Sequence, residues 1–269
     1  MKVFEFEKNF TINKDNALLY ADKIGKFLKD YLESAGMNGY VLGLSGGLDS
    51  AVAAYLCARA GINLYVMLLP CGDSMRKTGS GARANEVITN LGLEGKTVKI
   101  DIDPFCMLAD GKRDALMSVF PCDDVRTPRN LVLARENRRA RQRMIELFDF
   151  GQSHRLLVLG TDNLDEHCLG YFTKYGDGAS DIEPLQYCLK SEVRILGEAL
   201  GVPTSILECA PSAELSENQT DEADLGFSYD DFDRFALTGT SGSEDIDGKI
   251  KIRYSLSRHK RQFPSAFMA

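Results

Sequence analysis

The sequence predicts an α/β fold, a doubly wound and mostly parallel sheet flanked by helices. Short apolar runs at Tyr40–Leu44, Leu64–Leu69, Thr97–Ile100 and Leu156–Leu159 have the length of buried strands. Longer segments with helical periodicity alternate with them, which requires crossover connections and therefore parallel pairing. The first strand also runs straight into a glycine turn, SGGLDS at residues 45–50, followed by an Ala/Val/Leu-rich stretch. In sheets of this kind ligands sit beyond the C-terminal strand ends, where that turn would lie.

Taken in order, Asn16–Ala35 has helical spacing, with Leu18, Leu19, Ile24, Phe27, Leu28, Tyr31 and Leu32 as its apolar stripe. Helical patterns recur at Leu48–Ala60, Ala82–Leu91, Pro104–Ser118, Pro128–Phe150 and Ser191–Leu200. Two stretches break the alternation. CGDSMRKTGSG (71–81) and the polar, acidic PSAELSENQTDEADLG (211–226) read as mobile surface loops placed to act as lids. Residues 238–248 read as a linker to a last helix. The expected organisation is a single domain over residues 1–269: an N-terminal helix (16–35), a core of about 38–210, the loop 211–226 and a helical tail 227–269.

The chain has 269 residues, 44% of them hydrophobic, enough for a sizeable core. Its 32 Lys+Arg against 39 Asp+Glu give a net charge of −7, which offers no general attraction to nucleic acid or an anionic membrane. MKVFEFEKNF has no continuous apolar segment, and no run of about 18 apolar residues follows. The reading is therefore of a soluble, cytoplasmic protein. Seven scattered cysteines without a C-x-x-C pair suit thiols used as small core residues.

SGGLDS is not a Walker loop, since the Gly-Lys-Thr at 95–97 has Asn90 where the first glycine belongs, and no G-x-G-x-x-G follows the first strand. It could be a plain turn with capping serines. Between a buried strand and an apolar helix it could also cradle phosphate, because glycines let backbone N–H groups approach an anion at a helix N-terminus. The second constellation, GTDNLDEHCLGYFTKYGDGASDIEPL (160–185), follows the strand at 156–159. Asp162 can cap a short helix carrying Glu166, and the glycines expose Lys174, Asp177 and Asp181. Two strand ends would bring Asp49 and Glu166 toward one cleft, where the pair could share Mg²⁺; the other reading is a solvated acidic loop.

SGGLDS matches the S-G-G-x-D-S loop of ATP pyrophosphatases. Together with ENRRARQRM (136–144), the GTDN…EPL block, APSAEL (210–215) and SRHKRQFP (257–264), in this order, the chain resembles the ammonia-dependent NAD synthetases. The resemblance implies a Rossmann-like nucleotide hydrolase fold and the reaction ATP + deamido-NAD + ammonia → NAD + AMP + pyrophosphate. It implies that Gly43, Leu44, Ser45, Gly46, Gly47, Leu48, Asp49 and Ser50 contact ATP, with Thr161, Lys190 and Ser212 also at the nucleotide. Asp49 and Glu166 would hold Mg²⁺, and Arg141, Lys174, Asp181, His259 and Lys260 would bind deamido-NAD. Asp177 would meet ammonium, so that Asp49, Asp177 and Lys190 act in the chemistry. It further implies a homodimer whose sites take the Arg141 position from one chain and the Asp49 position from the other. The alternatives are another ligase of this superfamily or an ATP-binding regulatory protein without catalysis.

Seven arginines fall between Arg126 and Arg143. A helical wheel puts Leu133, Ala140, Met144, Ile145, Leu147 and Phe148 on one arc and Arg135, Arg139 and Arg143 on the other. Arg141 falls inside the apolar arc and is expected to need an anionic partner. The chain departs from the family pattern at residues 71–84, where Arg76 and Lys77 are weak candidates for phosphate contacts, and at Ser212, where threonine is usual. Fewer than 40 residues precede the first strand of the ATP site, too few for a glutaminase module of at least about 50 residues. Free ammonia is the expected nitrogen source.

Overall fold

The computed structural model describes residues 8–119, 128–209 and 221–262. Its four strands, β1 (Tyr40–Gly43), β2 (Leu64–Leu68), β3 (Thr97–Lys99) and β4 (Leu157–Leu159), form one parallel sheet in the order β3-β2-β1-β4. The helices are α1 (Ala17–Ala35), α2 (Leu48–Arg59), α3 (Ser74–Lys77), α4 (Ser80–Leu91), α5 (Asp103–Val119) and α6 (Pro128–His154). They continue as α7 (Leu164–Leu169), α8 (Lys190–Leu200), α9 (Thr204–Leu207), α10 (Asp221–Leu225), α11 (Tyr229–Thr238) and α12 (Glu244–Leu256). Every predicted strand and long helix is present, with ends shifted by a few residues.

Alternation along the strands makes three layers. Tyr40, Leu42, Val66 and Leu159 face α1, α2, α4 and α8, whereas Val41, Met67 and Val158 face α5 and α6. The Tyr40 hydroxyl, buried in the first layer, donates to the Leu28 carbonyl at 2.8 Å. A second core lies beside the sheet, where Leu164, Cys168 and Leu169 of α7 meet Phe232 and Phe235 of α11 and Ile250 of α12. The strand order reverses between β1 and β4, so the loops leaving these two strands diverge around a crevice.

Three expectations are corrected. In α1 the buried positions are Ala17, Ala21, Gly25 and Leu28, while Leu18, Leu19, Phe27 and Tyr31 are exposed. The inward face is made of small residues because α1 lies close on α2: a Cβ on Gly25 would stand 2.9 Å from the Ala60 Cβ. In α6 Ala140, Leu147 and Phe148 of the expected arc do face the core, together with Gly151. Leu133 and Ile145 are half exposed, and they rotated the sequence-derived arc toward Arg141, which is itself exposed. The three segments read as loops or linker are also partly helical. Hydroxyl contacts fold residues 71–81, with the Ser74 Oγ accepting the Cys71 N–H at 3.2 Å and Thr78 donating to the Ser74 carbonyl at 3.1 Å. Asp221–Leu225 is α10, and α12 begins at Glu244; residues 211–220 lie outside the described residues.

The close α1–α2 contact has a measurable consequence. Gly25→Leu should lower unfolding stability by about 1–3 kcal/mol through overpacking. Leu19→Gln, on the open face, should stay within about 0.5 kcal/mol. Urea midpoints of the two variants decide between this packing and the stripe suggested by residue size.

Candidate active site

The crevice is built from two turns. The first, after β1, needs glycine at position 46, where φ is +85° and a Cβ would come within 2.2 Å of the Ser80 carbonyl oxygen. That close approach seats α4 against the turn, and the Arg83 Nε donates to the Gly46 carbonyl at 2.9 Å. Ser45 and Ser50 lie hydroxyl to hydroxyl at 3.0 Å, and the Gly47 N–H donates to the Ser45 Oγ at 3.1 Å. Gly43 and Leu44 lead into the turn, and Leu48 opens α2 with Asp49 in its first turn. The N-terminus of α2 therefore opens into the crevice with its N–H groups and positive dipole end.

The second turn, after β4, carries Thr161, half-buried, and Asn163, which caps α7 in a reciprocal box. The Asn163 side chain accepts the Glu166 N–H at 3.0 Å, and the Glu166 carboxylate accepts the Asn163 N–H at 3.2 Å. The cap is Asn163 rather than Asp162, because the chain stays extended one residue longer than the sequence suggested. The box fixes the Glu166 backbone and leaves one carboxylate oxygen for the crevice.

Asp49 and Glu166 converge on the Lys190 ammonium, at 2.7 Å and 3.3 Å. The Asn163 amide holds the other Asp49 oxygen at 3.0 Å. Lys190 is buried; burial opposes its charge, yet Asp49 and Glu166 outweigh that and raise its pKa. Burial pushes Glu166 up to about 7 against the pull of Lys190, with Asp49 adding repulsion. Two carboxylates facing one ammonium leave an excess negative charge. Hard oxygen donors from two elements beside a glycine turn are a donor set that suits Mg²⁺, and the point they share is taken here by the Lys190 ammonium. Among the described residues no group of three or more His, Cys, Asp and Glu side chains forms a closed metal cage.

The remaining expected residues gather beside this centre. Asp177 accepts the Thr173 N–H at 2.9 Å; it keeps solvent access while the surrounding protein pushes its pKa up, partly offset by Thr173 and Lys260. The loop around it is tight: a Cβ on Gly178 would come within 2.2 Å of the Phe172 ring. The Lys174 ammonium donates to the His259 carbonyl at 2.7 Å, and that of Lys260 to the Gly170 carbonyl at 2.7 Å. The segment at His259 and Lys260 is thereby fastened to this loop, with the His259 residue exposed. Arg141 donates to the Lys174 carbonyl at 3.3 Å, a backbone oxygen rather than a structural carboxylate among the described residues. The Asp181 carboxylate accepts the Val158 N–H of β4 at 2.7 Å. Ser212 lies outside the described residues, as does the Arg76 side chain.

The crevice also holds groups the sequence reading passed over. Glu183 accepts from the Ser180 hydroxyl at 2.6 Å and the Asp162 N–H at 3.2 Å, and its carboxylate fills the space a Gly160 side chain would need. Burial pushes Glu183 up to about 7. Tyr229 places its ring 5.1 Å from the Lys190 ammonium. Arg143, assigned to the solvated arc, instead donates its Nε to the Leu69 carbonyl at 3.0 Å, and burial lowers its pKa.

The NAD synthase family profile matches residues 20–264. The chain belongs to this family. It is 39% identical over 246 residues to the NH₃-dependent NAD⁺ synthetase of Mannheimia succiniciproducens, covering 91% of this chain and 94% of that protein. Among solved structures it is similar to the NMN synthetase of Francisella tularensis, with a TM-score of 0.84, 34% identity, and 96% and 99% of the two chains covered. The NAD⁺ synthetase of Burkholderia pseudomallei gives 0.71, at 28% identity over 96% of this chain and 93% of that one. The activity is ammonia-dependent NAD synthesis, and the protein is a ligase on the ATP-pyrophosphatase fold. The curated relatives named as NH₃-dependent NAD⁺ synthetases do not favour a different ligase of the superfamily or a regulatory protein without catalysis. No helix among the described residues is long and apolar enough to cross a membrane.

Proposed function

We propose that this ligase activates the nicotinate carboxylate of its acceptor as an adenylate, with ATP bound over the turn 43–50 and Mg²⁺ held by Asp49 and Glu166. The carrying observation is the convergence of these two carboxylates, from two strand ends, beside a glycine turn at a helix N-terminus. A carboxylate does not accept ammonia at useful rates, because its carbonyl is electron-rich and oxide is a poor leaving group. Attack of that carboxylate on the α phosphorus of ATP gives a mixed anhydride and expels pyrophosphate; ammonia then displaces AMP. Bound Mg²⁺ supplies charge neutralisation on the phosphates.

The protein's own groups do the rest. Backbone N–H groups and the serines of Gly43–Ser50 cradle the leaving pyrophosphate, and Lys190, with Thr161 and Ser212, lies at the nucleotide. Asp177 receives the ammonium ion at the crevice mouth and takes its proton. Arg141, Lys174, Asp181, His259 and Lys260 hold the pyridine substrate, deamido-NAD. The working form is a cytoplasmic, single-domain chain paired as a homodimer with sites shared across the interface.

A second reading of the acceptor is favoured by one observation. The NMN synthetase structure superposes at 0.84, against 0.71 for the NAD⁺ synthetase above. In that reading the acceptor is the mononucleotide acid, which presents the same carboxylate to the same chemistry without an adenylyl half. One experiment tests both. Purified protein is supplied with ATP, Mg²⁺, ammonium and either acid, and products are resolved by chromatography. AMP and pyrophosphate should appear in step with the amide, and the ratio of kcat/KM for the two acids identifies the acceptor. Accumulation of ADP and phosphate would rule the mechanism out.

A further inference from the structure

The amides that open α8 are capped from outside the helix. Its N-cap is Leu189, whose side chain accepts nothing, so the first-turn N–H groups need other partners. The Lys190 N–H donates to an Asp165 oxygen of α7 at 3.1 Å, and the Ser191 N–H to an Asp233 oxygen of α11 at 3.2 Å. Both acids are buried, and their carboxyls share a side-chain hydrogen bond with each other. The shared hydrogen bond, the positive end of α8 and the Lys190 charge together offset the cost of burying two carboxyls here. The same helix α11 supplies Tyr229, whose ring faces the Lys190 ammonium and whose hydroxyl donates to Asp221 at 2.9 Å.

We propose that Asp233 is a positioning residue for the ligase reaction: by capping α8 at Ser191 it sets the height at which Lys190 reaches Asp49 and Glu166. The segment read from sequence as a tail thus aligns the charge centre of the site. The inference rests on the reading of Lys190 as a working group there. Lys190 is the residue next to the capped amide, and its ammonium is 2.7 Å from Asp49 and 3.3 Å from Glu166. A displacement of the first turn by a fraction of an ångström would exchange one partner for the other.

The test is a double-mutant cycle in the full chain, Asp233→Ala with and without Lys190→Met, read as kcat with labelled ATP and as a melting temperature. Asp233→Ala should lower kcat at least about tenfold when Lys190 is present and less than about twofold when it is replaced, while the melting temperature falls equally in both backgrounds. Asp233→Asn, which keeps one acceptor oxygen in the same volume, should restore most of the activity. Should Asp233→Ala fail to fold, Asp233→Ser serves in its place, since its hydroxyl stops about one bond short of the amide. Near-normal kcat in the folded variant, or an equal loss in both backgrounds, overturns the positioning role. Near-normal kcat in Lys190→Met alone removes the working role of Lys190 and the inference with it.

Discussion

Asp49→Asn and Glu166→Gln should each lower kcat by about a hundredfold or more, the scale expected when one electrostatic stabiliser of developing charge is removed. Neither variant should melt earlier than the wild type in the absence of Mg²⁺. The site holds two carboxylates against one ammonium, and Asp49 adds repulsion to the burial that raises the Glu166 pKa. Removing either charge leaves a neutral pair, so the loss of one ion pair is countered by relief of that repulsion. Addition of Mg²⁺ should raise the wild-type melting temperature and leave both variants unmoved, because a ligand stabilises only the fold that binds it. Turnover close to wild type at low Mg²⁺ in either variant would break the assignment of Asp49 and Glu166 as the metal pair.

The sheet and the charge centre were legible in the sequence because each rests on local chemistry. Strand β1 is apolar and ends in a glycine turn; β4 is apolar and ends in a capping turn that fixes Glu166. Parallel order then places both turns at one edge, and Asp49 and Glu166 meet across it. What escaped was set by close packing and by partners distant in the chain. The face of α1 was misjudged, and Gly151 of α6 passed over, because Ala17, Ala21, Gly25 and Gly151 carry little hydrophobic weight, although small residues are what allow two elements to approach. The large side chains Leu19, Phe27, Leu133 and Ile145 drew the predicted stripes toward themselves and face outward. Glu183 lay at the end of a segment read for Asp162, Glu166, Lys174, Asp177 and Asp181, and its contacts with Gly160, Ser180 and the Asp162 N–H show that the carboxylate is packed into the crevice wall. Asp233 lies 42 residues from the Ser191 amide it caps, a pairing no local pattern encodes.

Mixing two inactive variants should restore activity. Helices α5 and α6 expose Phe105, Met107, Leu108, Val132, Leu133 and Ile145, an apolar set unusual for a surface left to water. Arg141 stands on the same helix, exposed, and among the described residues its guanidinium donates to the Lys174 carbonyl. A second copy of the chain laid on this face would cover the apolar side chains and bring Arg141 to the rim of its partner's crevice, as the shared-site homodimer requires. Asp49→Asn and Arg141→Ala homodimers would then each be nearly inactive, the first for want of a metal ligand and the second for want of a substrate contact. After chain exchange in an equal mixture, half the dimers are mixed, and each carries one doubly defective site and one intact site. Activity should therefore recover to about a quarter of the wild-type value under random two-fold pairing. Native mass spectrometry of the mixture reports whether exchange has occurred. Exchange without recovery would place Asp49 and Arg141 in the same site of the same chain, and the apolar face of α5 and α6 would then have to serve a contact that contributes nothing to catalysis.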